Sequence, residues 1–441
     1  MNFNLLKEEA LKLGINEIEL YSVKSKGIDM SFFDGAVEGN TTAFEDVLCV
    51  RGVYNNHIAT VYTENGSDDE IPFILKTIIE NGNNITKDEP YVIYAGDEEY
   101  PVIKEKETDF SDHPAYEKIE LANKVHKMLK EKCPYTFKTE CGYAENEYEY
   151  SIINTNGLNV SKKGKNAYLV AELIAVKDGD MKTSYDYMYI HKFADIDLDK
   201  FTDKIIEDAV SQFGAESVPS DKYNVVLDKG AVRSLLGAYS GVFCADTVLK
   251  KMSFLDGKLD QKIFGDNITI MDDPLNELAI SQDTFDDEGV ATKSKVIVEN
   301  GVLKTYLHNL TTAMMMNTKS TGNGFKHGVS SPVGVSPKNF YLQPGDKSLE
   351  ELFEAIGNGL YITEFAGLHA GVNAISGEYS LKCSGYKITD GKKAEPVTLI
   401  IMSSSIQETL NNVFMIGNDF EFRGGIGASS IALKNVPISG K

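Results

Sequence analysis

The chain has 441 residues and a formal net charge of −22 at pH 7, from 66 acidic and 44 basic residues. This length favours two domains, and an acidic surface repels phosphate backbones, so we expect no direct binding of nucleic acid. An acidic surface that mimics DNA and engages a DNA-binding enzyme is the alternative to an ordinary acidic surface.

The cysteines and the N-terminus indicate the compartment. The five cysteines are scattered and form no C-x-x-C pair, which indicates neither a disulfide framework nor a thiolate zinc site. The first residues contain early acids and no apolar run, and no stretch approaches the roughly 18 apolar residues of a membrane span. We therefore expect a cytoplasmic protein without a membrane segment.

Helical and strand patterns alternate irregularly in the first half of the chain. Apolar spacing predicts helices over 2–13, 69–80, 114–132 and 199–213, with Gly82 just beyond the second helix. Alternation predicts strands over 17–23, 28–33, 44–54, 57–62, 135–150, 151–158, 167–176 and 182–191. Turns are predicted at 24–27, at 55–56 and at 154–157, and residues 85–112 are predicted to connect the elements.

The second half is rich in glycine and strand patterns. Gly, Ser and Pro at 214–221 mark the best boundary, which predicts an N-terminal α+β domain over 1–218 and a C-terminal β-rich domain over 219–441. A strand is predicted over 224–227, and helices over 229–249 and 349–356. Because helices and strands do not alternate one for one, the predicted class is α+β.

Local catalytic motifs are absent from the sequence. The seven histidines never fall at metal-ligand spacing, and neither H-E-x-x-H nor G-x-S-x-G occurs, although ligands could converge from distant positions. The glycine-rich run 424–430 lacks the lysine and the spacing of a nucleotide loop. The acids Asp286, Asp287 and Glu288 could bind a hard cation, but they do not fit a calcium loop, and a turn is the preferred interpretation.

Several ordered segments of the second half resemble the TldD/PmbA family. These are 253–255 with 257–258, 285–290, 299–303, 320–324, 357–360, 375–380 and 416–419. Their order over some 190 residues is specific, whereas the first half matches more loosely, through the opening helix and the strand around 35–52.

The resemblance implies a zinc site that this chain does not carry. In the family, the TldD-type subunit is a zinc peptidase with H-E-x-x-x-H on a helix and a further cysteine ligand near its C-terminus. Alignment through Phe254 places Leu235 and Leu236 at the His-Glu positions, Ser240 at the second His and Ser429 near the Cys. Zinc requires imidazole or thiolate there, and the water it activates requires a base. These four positions are therefore predicted to be vestigial, and the helix is predicted to be a packed core helix.

The resemblance is closest to the PmbA (TldE) type, which implies a non-catalytic subunit without a cofactor of its own. A TldD-like partner would supply the zinc in a heterodimer, or the chain would form a homodimer, and the complex would process extended peptides in antibiotic maturation or antitoxin degradation. An independent hydrolase with a different site, and a non-enzymatic modulator of DNA gyrase or another partner, are the alternatives. The gyrase link would be indirect.

Three glycine-containing segments, together with the positions around Leu235, Leu236 and Ser240, are predicted to line the peptide cavity or the subunit interface. The alternative is that these segments only hold the fold. The predicted residues are Gly322, Asn323, Gly324, Gly377, Glu378, Tyr379, Ser380, Gly417, Asn418 and Asp419.

Overall fold

The computed structural model describes residues 1–86 and 90–441. Strands hold 41% and helices 25% of the residues, so the predicted α+β class is confirmed. Residues 87–89, part of the predicted connecting segment 85–112, lie outside the described residues.

The first half of the chain builds one antiparallel sheet with helices against it. Its helices are α1 (Phe3–Lys12), α2 (Ile71–Asn84), α3 (Ala115–Lys132) and α4 (Leu198–Val210). Its strands are β1 (Ile18–Phe33), β2 (Ala36–Tyr54), β3 (His57–Thr63), β4 (Thr136–Asn154), β5 (Asn159–Lys177) and β6 (Asp180–Tyr189). The strand order is β3-β2-β1-β4-β5-β6.

Alternation along β1 separates the two faces of this sheet. Leu20 and Met30 belong to the apolar cores under the helices, whereas Tyr21 and Val23 point to the opposite side. The face without helices is therefore the one that meets the second half of the chain.

Two predicted interruptions of the first sheet are wrong. Residues 24–27 do not turn, because they continue the pairing of β1 with both β2 and β4. Residues 136–154 likewise form one strand rather than two. Gly82 does not follow a helix but lies buried inside α2, where Tyr54 packs against it.

The second half contains many short elements. Its helices are α5 (Lys229–Tyr239), α6 (Ala245–Leu249), α7 (Leu310–Met315), α8 (Leu349–Ile356), α9 (Leu368–Gly371) and α10 (Ile406–Asn411). The strands are β7 (Asp221–Leu227), β8 (Ile270–Asp272), β9 (Lys295–Glu299), β10 (Val302–Leu303), β11 (Gly324–Lys326), β12 (Val333–Val335), β13 (Phe340–Leu342), β14 (Gly359–Ala366), β15 (Glu378–Thr389), β16 (Lys392–Ser405), β17 (Val413–Ile416), β18 (Glu421–Arg423), β19 (Ile426–Ala428) and β20 (Ile431–Ser439).

Two mixed sheets and a two-stranded ribbon organise this half. One sheet has the order β16-β15-β14-β7-β20-β17, and β16 also pairs with β20, so the sheet curls back on itself. The other has the order β10-β9-β8-β13-β19-β18, and the ribbon pairs β11 with β12. Helix α5 lies in the large apolar core that these sheets enclose.

The predicted helix over 229–249 is broken in the structure. Helix α5 ends at Tyr239, a 3₁₀ turn follows at Ser240–Phe243, and α6 begins at Ala245. The predicted helix over 349–356 is confirmed as α8. Ser348 and Glu351 form a capping box at its start.

The two halves meet through apolar and charged contacts. Tyr21, Cys49 and Leu158 of the first half form one buried cluster with Phe285 of the second. Arg423 on β18 forms an ion pair with Asp186 on β6. The proposed domain division at 218/219 stays a prediction, although the first sheet ends before it and β7 begins after it. None of the described helices has both the length and the apolar composition needed to cross a bilayer.

Candidate functional site

A cavity of about 1110 Å³, which we call the chamber, lies between the first sheet and the second half of the chain. The helix-free face of β1 and β4 forms one wall, with Tyr21 and Val23 from β1 and Tyr148 and Tyr150 from β4. The opposite wall comes from residues 280, 281, 283 and 287 and from 325–330, 336–339 and 424–426. Ser240, at the break after α5, also lines the chamber.

Two lysines of the chamber share one carboxylate. Lys162 Nζ lies 2.5 Å from Asp283 Oδ1, and Lys338 Nζ lies 2.8 Å from Asp283 Oδ2. Burial by itself would raise the pKa of Asp283, but the two ammonium groups outweigh it and lower the pKa to about 2. The carboxylate is therefore ionised at neutral pH, and the three groups together carry one positive charge.

A third lysine, Lys326, lies under the tyrosines of the first sheet. Its Nζ is 4.5 Å from the centroid of the Tyr21 ring and 3.3 Å from Cys49 Sγ. Tyr21 donates its hydroxyl proton to Asp287 Oδ1 at 3.0 Å, and the backbone N–H of Lys326 donates to Asp287 Oδ2 at 2.8 Å. Burial raises the pKa of the Cys49 thiol despite this lysine, so the thiol is held in its neutral form.

The acidic segment 286–288 forms a turn, as predicted. Asp286 Oδ1 accepts the backbone N–H groups of Glu288 and Val290, both at 3.0 Å, and Oδ2 accepts from Gly324 at 2.9 Å. The Asp286 side chain is thus occupied by the backbone of its own turn and of β11. Among the described residues, no group of three or more His, Cys, Asp or Glu side chains is arranged to hold a metal ion.

Burial raises the pKa of both Asp286 and Glu288. Glu288 accepts the backbone N–H of Leu310 at 2.7 Å, and its pKa rises to about 7 because burial outweighs the attraction of Arg51. Arg51 itself donates two hydrogen bonds to Glu19 Oε1. Arg51 and Glu19 belong to the first half and Asp286 and Glu288 to the second, so these buried charges lie where the two halves of the chain meet.

The positions aligned with the zinc site hold side chains of a packed core. Leu235 and Leu236 are 2% and 3% exposed, and Ser240 Oγ donates to the carbonyl of Gly237 at 2.9 Å. Ser429 is fully buried, and its Oγ has no hydrogen-bond partner among the described residues. Leucine offers no donor atom, so this set of residues does not fit a zinc ion.

The Gly322–Gly324 segment contacts the acidic turn at 286–288. Asn323 is fully buried, and its Nδ2 donates to Asp272 Oδ2 at 2.8 Å, next to the buried Lys295–Asp272 ion pair. The backbone N–H of Gly324 holds the Asp286 carboxylate. This segment therefore positions the acidic turn rather than lining the chamber itself.

The other predicted segments lie elsewhere in the second half. Glu378, Tyr379 and Ser380 line a separate cavity of about 690 Å³, and the Tyr239 hydroxyl donates to the carbonyls of Gly377 and Glu378. In the 417–419 segment, Gly417 and Asn418 donate backbone N–H groups to the carbonyls of Ser430 and Lys347, and Asp419 accepts from Ser430. Of the residues predicted for the vestigial zinc site and for the peptide cavity or interface, each of which the structure describes, only Ser240 lines the chamber.

The residues that sequence reasoning missed are the tyrosines and lysines of the chamber. Tyr148 and Tyr150 alternate along β4, but alternation alone does not distinguish a cavity wall from a solvent-exposed face. Lys162, Lys326 and Lys338 are far apart in sequence, so no local spacing indicates that they meet.

Three family models cover most of the chain. The models described as PmbA/TldA metallopeptidase domain 1, central domain and C-terminal domain match residues 18–81, 108–213 and 220–440. The chain belongs to the PmbA/TldD family. The predicted resemblance is thereby confirmed, including in the first half, where the sequence motifs are weaker.

Individual members of the PmbA/TldD family are similar over long stretches. A metalloprotease of Methanothermobacter thermautotrophicus is 30% identical over 334 residues, which are 74% of this chain and 72% of that protein. A metalloprotease PmbA homolog of Buchnera aphidicola is 26% identical and aligns over 98% of this chain and 96% of its own. The crystal structure of a candidate modulator of a DNA gyrase from Thermotoga maritima matches with a TM-score of 0.91 at 28% identity, and covers 99% of each chain.

Proposed function

We propose that this chain is the PmbA/TldE-like subunit of a TldD/TldE-type zinc metallopeptidase complex that processes unfolded or extended peptides. A TldD-like partner carries the zinc site, and this chain contributes walls of the space that holds the peptide. Maturation of peptide antibiotics and degradation of antitoxins are the reactions that the family resemblance suggests.

The proposal rests on two features together. One is the large chamber, and the other is that the aligned ligand positions on α5 hold no side chain that can bind zinc. Ser240, just after the end of α5, lines the chamber. The aligned ligand positions on α5 itself are occupied by the buried residues Leu235 and Leu236. A cavity of this size accommodates several residues of a peptide. The absence of zinc from this chain stays a prediction, as does the heterodimer.

An open strand edge beside the chamber supports the proposal that the peptide binds in an extended conformation. Strand β3 pairs with β2 only over residues 48–54, so residues 36–47 of β2 have no partner on their outer side among the described residues. Glu45 and Val47 of this edge also line the chamber. A peptide added to such an edge binds through its backbone, which gives affinity without demanding a sequence.

The zinc content and activity of the purified chain test the proposal. After mild chelation and re-addition of zinc, we expect less than roughly 0.1 equivalent to be retained, because the aligned positions hold no ligand atoms. We expect no peptide hydrolysis by this chain alone, and hydrolysis after mixing with a TldD-like chain whose H-E-x-x-x-H is intact. The partner alone is the matched control.

Each contrary result points to a different function. About one equivalent of tightly held zinc, or hydrolysis by the chain alone, would identify an independent hydrolase and contradict the proposal. Failure to form a complex with any TldD-like chain would favour a non-enzymatic role on another partner, such as the gyrase named for the Thermotoga relative.

A further inference from the structure

Lys326 stands at the end of β11 and points along the chamber wall. Its side chain is half-buried, with Nζ 4.5 Å from the centroid of the Tyr21 ring and 5.9 Å from that of Tyr62. The ammonium group donates to the Val329 carbonyl at 3.3 Å and lies 3.3 Å from Cys49 Sγ. It therefore has two acceptors, and one of them is a weak sulfur acceptor.

Lys326 differs from the other chamber lysines in its lack of a carboxylate partner. Lys162 and Lys338 both contact Asp283, whereas Lys326 forms no ion pair with any residue that the structure describes. Asp287, its neighbour in the chamber, uses Oδ1 for the Tyr21 hydroxyl and Oδ2 for the backbone N–H of Lys326. Lys326 thus has no carboxylate partner among the described residues, although the chain has a net charge of −22.

A cation withdrawn from water is costly unless it is paired. The faces of Tyr21 and Tyr62 attract an ammonium group, but more weakly than an anion does. An ammonium group has three N–H donors, of which the described acceptors occupy two at most. The remaining donor is available to a group that enters the chamber.

We propose that Lys326 binds a carboxylate of the peptide in the chamber, flanked by the rings of Tyr21 and Tyr62. The carboxylate is either the C-terminus of the peptide or the side chain of an acidic residue, since both present the same anion. This inference rests on the proposed peptide-binding function and extends it by naming a recognised group. The paired lysines contribute a positive field but are already neutralised in part by Asp283.

Binding of matched peptides to the purified chain tests this assignment. One pair of labelled short peptides differs only in a C-terminal acid or amide, and a second pair, amidated, differs only in Glu or Gln. Affinities are measured by fluorescence anisotropy for the wild type, Lys326→Met and Lys326→Arg. Methionine keeps the unbranched stem and packs against aromatic rings, so the Met variant removes the charge with little loss of contact.

The chain offers a matched control in Lys434→Met. Lys434 Nζ lies 4.6 Å from the Phe414 ring centroid, so this variant also removes a lysine stacked on an aromatic ring, but outside the chamber. Thermal unfolding of every variant checks the fold. Equal binding of the paired peptides by the wild type would overturn the assignment even if Lys326→Met does not fold.

In one of the two pairs, we expect the wild type to bind the charged peptide with an affinity roughly tenfold or more above that for the neutral peptide. This is the effect of a hydrogen bond to a charged group. The preference should disappear in Lys326→Met and persist in Lys326→Arg and Lys434→Met. The acid–amide pair identifies a C-terminal carboxylate, and the Glu–Gln pair identifies a side chain.

Three results would overturn the assignment, and only the last of them also contradicts the proposed function. Equal binding within both pairs, or a preference that survives in Lys326→Met, would leave the peptide chamber intact but remove Lys326 as its carboxylate site. Binding of no peptide at all would contradict the proposed peptide-binding function together with this extension of it.

Discussion

At the scale of single residues, burial decides the chemistry of the acidic turn. Asp286 and Glu288 look from the sequence like ordinary surface acids before a glycine. In the structure they are 0% and 4% exposed and lie side by side against Gly324. Burial therefore raises the pKa of both carboxyl groups, which no local pattern indicates.

The raised pKa of Glu288 predicts how stability changes with pH. Its pKa rises from 4.5 to about 7 on folding, so between these values the folded chain keeps a proton that the unfolded chain has lost. The free energy of unfolding should therefore fall as pH rises through this window, by up to about 3 kcal/mol. Urea denaturation at several pH values from about 5 to 8 measures this slope.

The Glu288→Gln variant isolates this group. Glutamine keeps an oxygen for the Leu310 N–H but cannot ionise, so the slope should flatten and the variant should be the more stable chain near pH 8. Glu350→Gln, at an exposed position in the first turn of α8, is the control and should leave the slope unchanged. An unchanged slope in Glu288→Gln would contradict the assignment.

At the scale of elements, pairing outweighs local turn signals. Residues 24–27 contain Lys, Ser and Gly, which suit a turn, yet they remain extended because β2 and β4 bond them from both sides. The predicted turn at Asn55-Asn56 is confirmed, since both asparagines adopt positive φ there. A local signal is decisive only where no neighbouring strand competes for the same backbone groups.

The open edge of β2 predicts where an extended peptide binds. On addition of a peptide, amide hydrogens in residues 36–47 that face outward should exchange more slowly, because they gain backbone acceptors. Residues 48–54 already pair with β3 and should not change. Hydrogen exchange followed by mass spectrometry measures both segments.

A peptide of the same sequence with N-methylated alternate residues is the control for strand addition. It keeps the side chains but lacks the backbone donors on one edge, so it should give no protection in residues 36–47. Protection by both peptides, or protection confined to other strands, would show that the edge of β2 is not the binding element.

At the scale of the whole molecule, a glycine turn sets how closely the halves approach. Gly289 has φ of +84°, and a Cβ there would lie 2.4 Å from Leu158 Cδ2 of the first half. Its carbonyl also accepts the hydroxyl of Tyr100 at 2.7 Å. A side chain at position 289 would therefore have to displace the buried Leu158 side chain or separate the two halves.

Gly289→Ala and Gly179→Ala separate backbone strain from this contact. Gly179 also has φ of +84°, but a Cβ added there would meet no atom within 4 Å. Its substitution should therefore cost only about 1–2 kcal/mol of conformational strain. Gly289→Ala should cost roughly a further 1–3 kcal/mol from overpacking against Leu158. Urea denaturation of both variants measures the difference in the free energy of unfolding. Equal losses would show that the Leu158 side chain moves aside without cost.

Local chemistry was sufficient for part of this protein. The sequence determined the α+β class and the capped helix over 349–356, because periodicity and capping residues act within a few residues of each other. The order of the motifs over some 190 residues identified the family. It also placed leucines at the aligned ligand positions on α5, where the residue type alone excludes coordination.

The tertiary structure alone decided where the chamber lies and which charges are paired in it. Lys162 lines the same chamber as Lys326 and Lys338 only because two halves of the chain pack face to face, and Asp283 neutralises one of the three charges. Burial and charge pairing depend on distances between segments far apart in sequence, and local spacing carries no record of those distances.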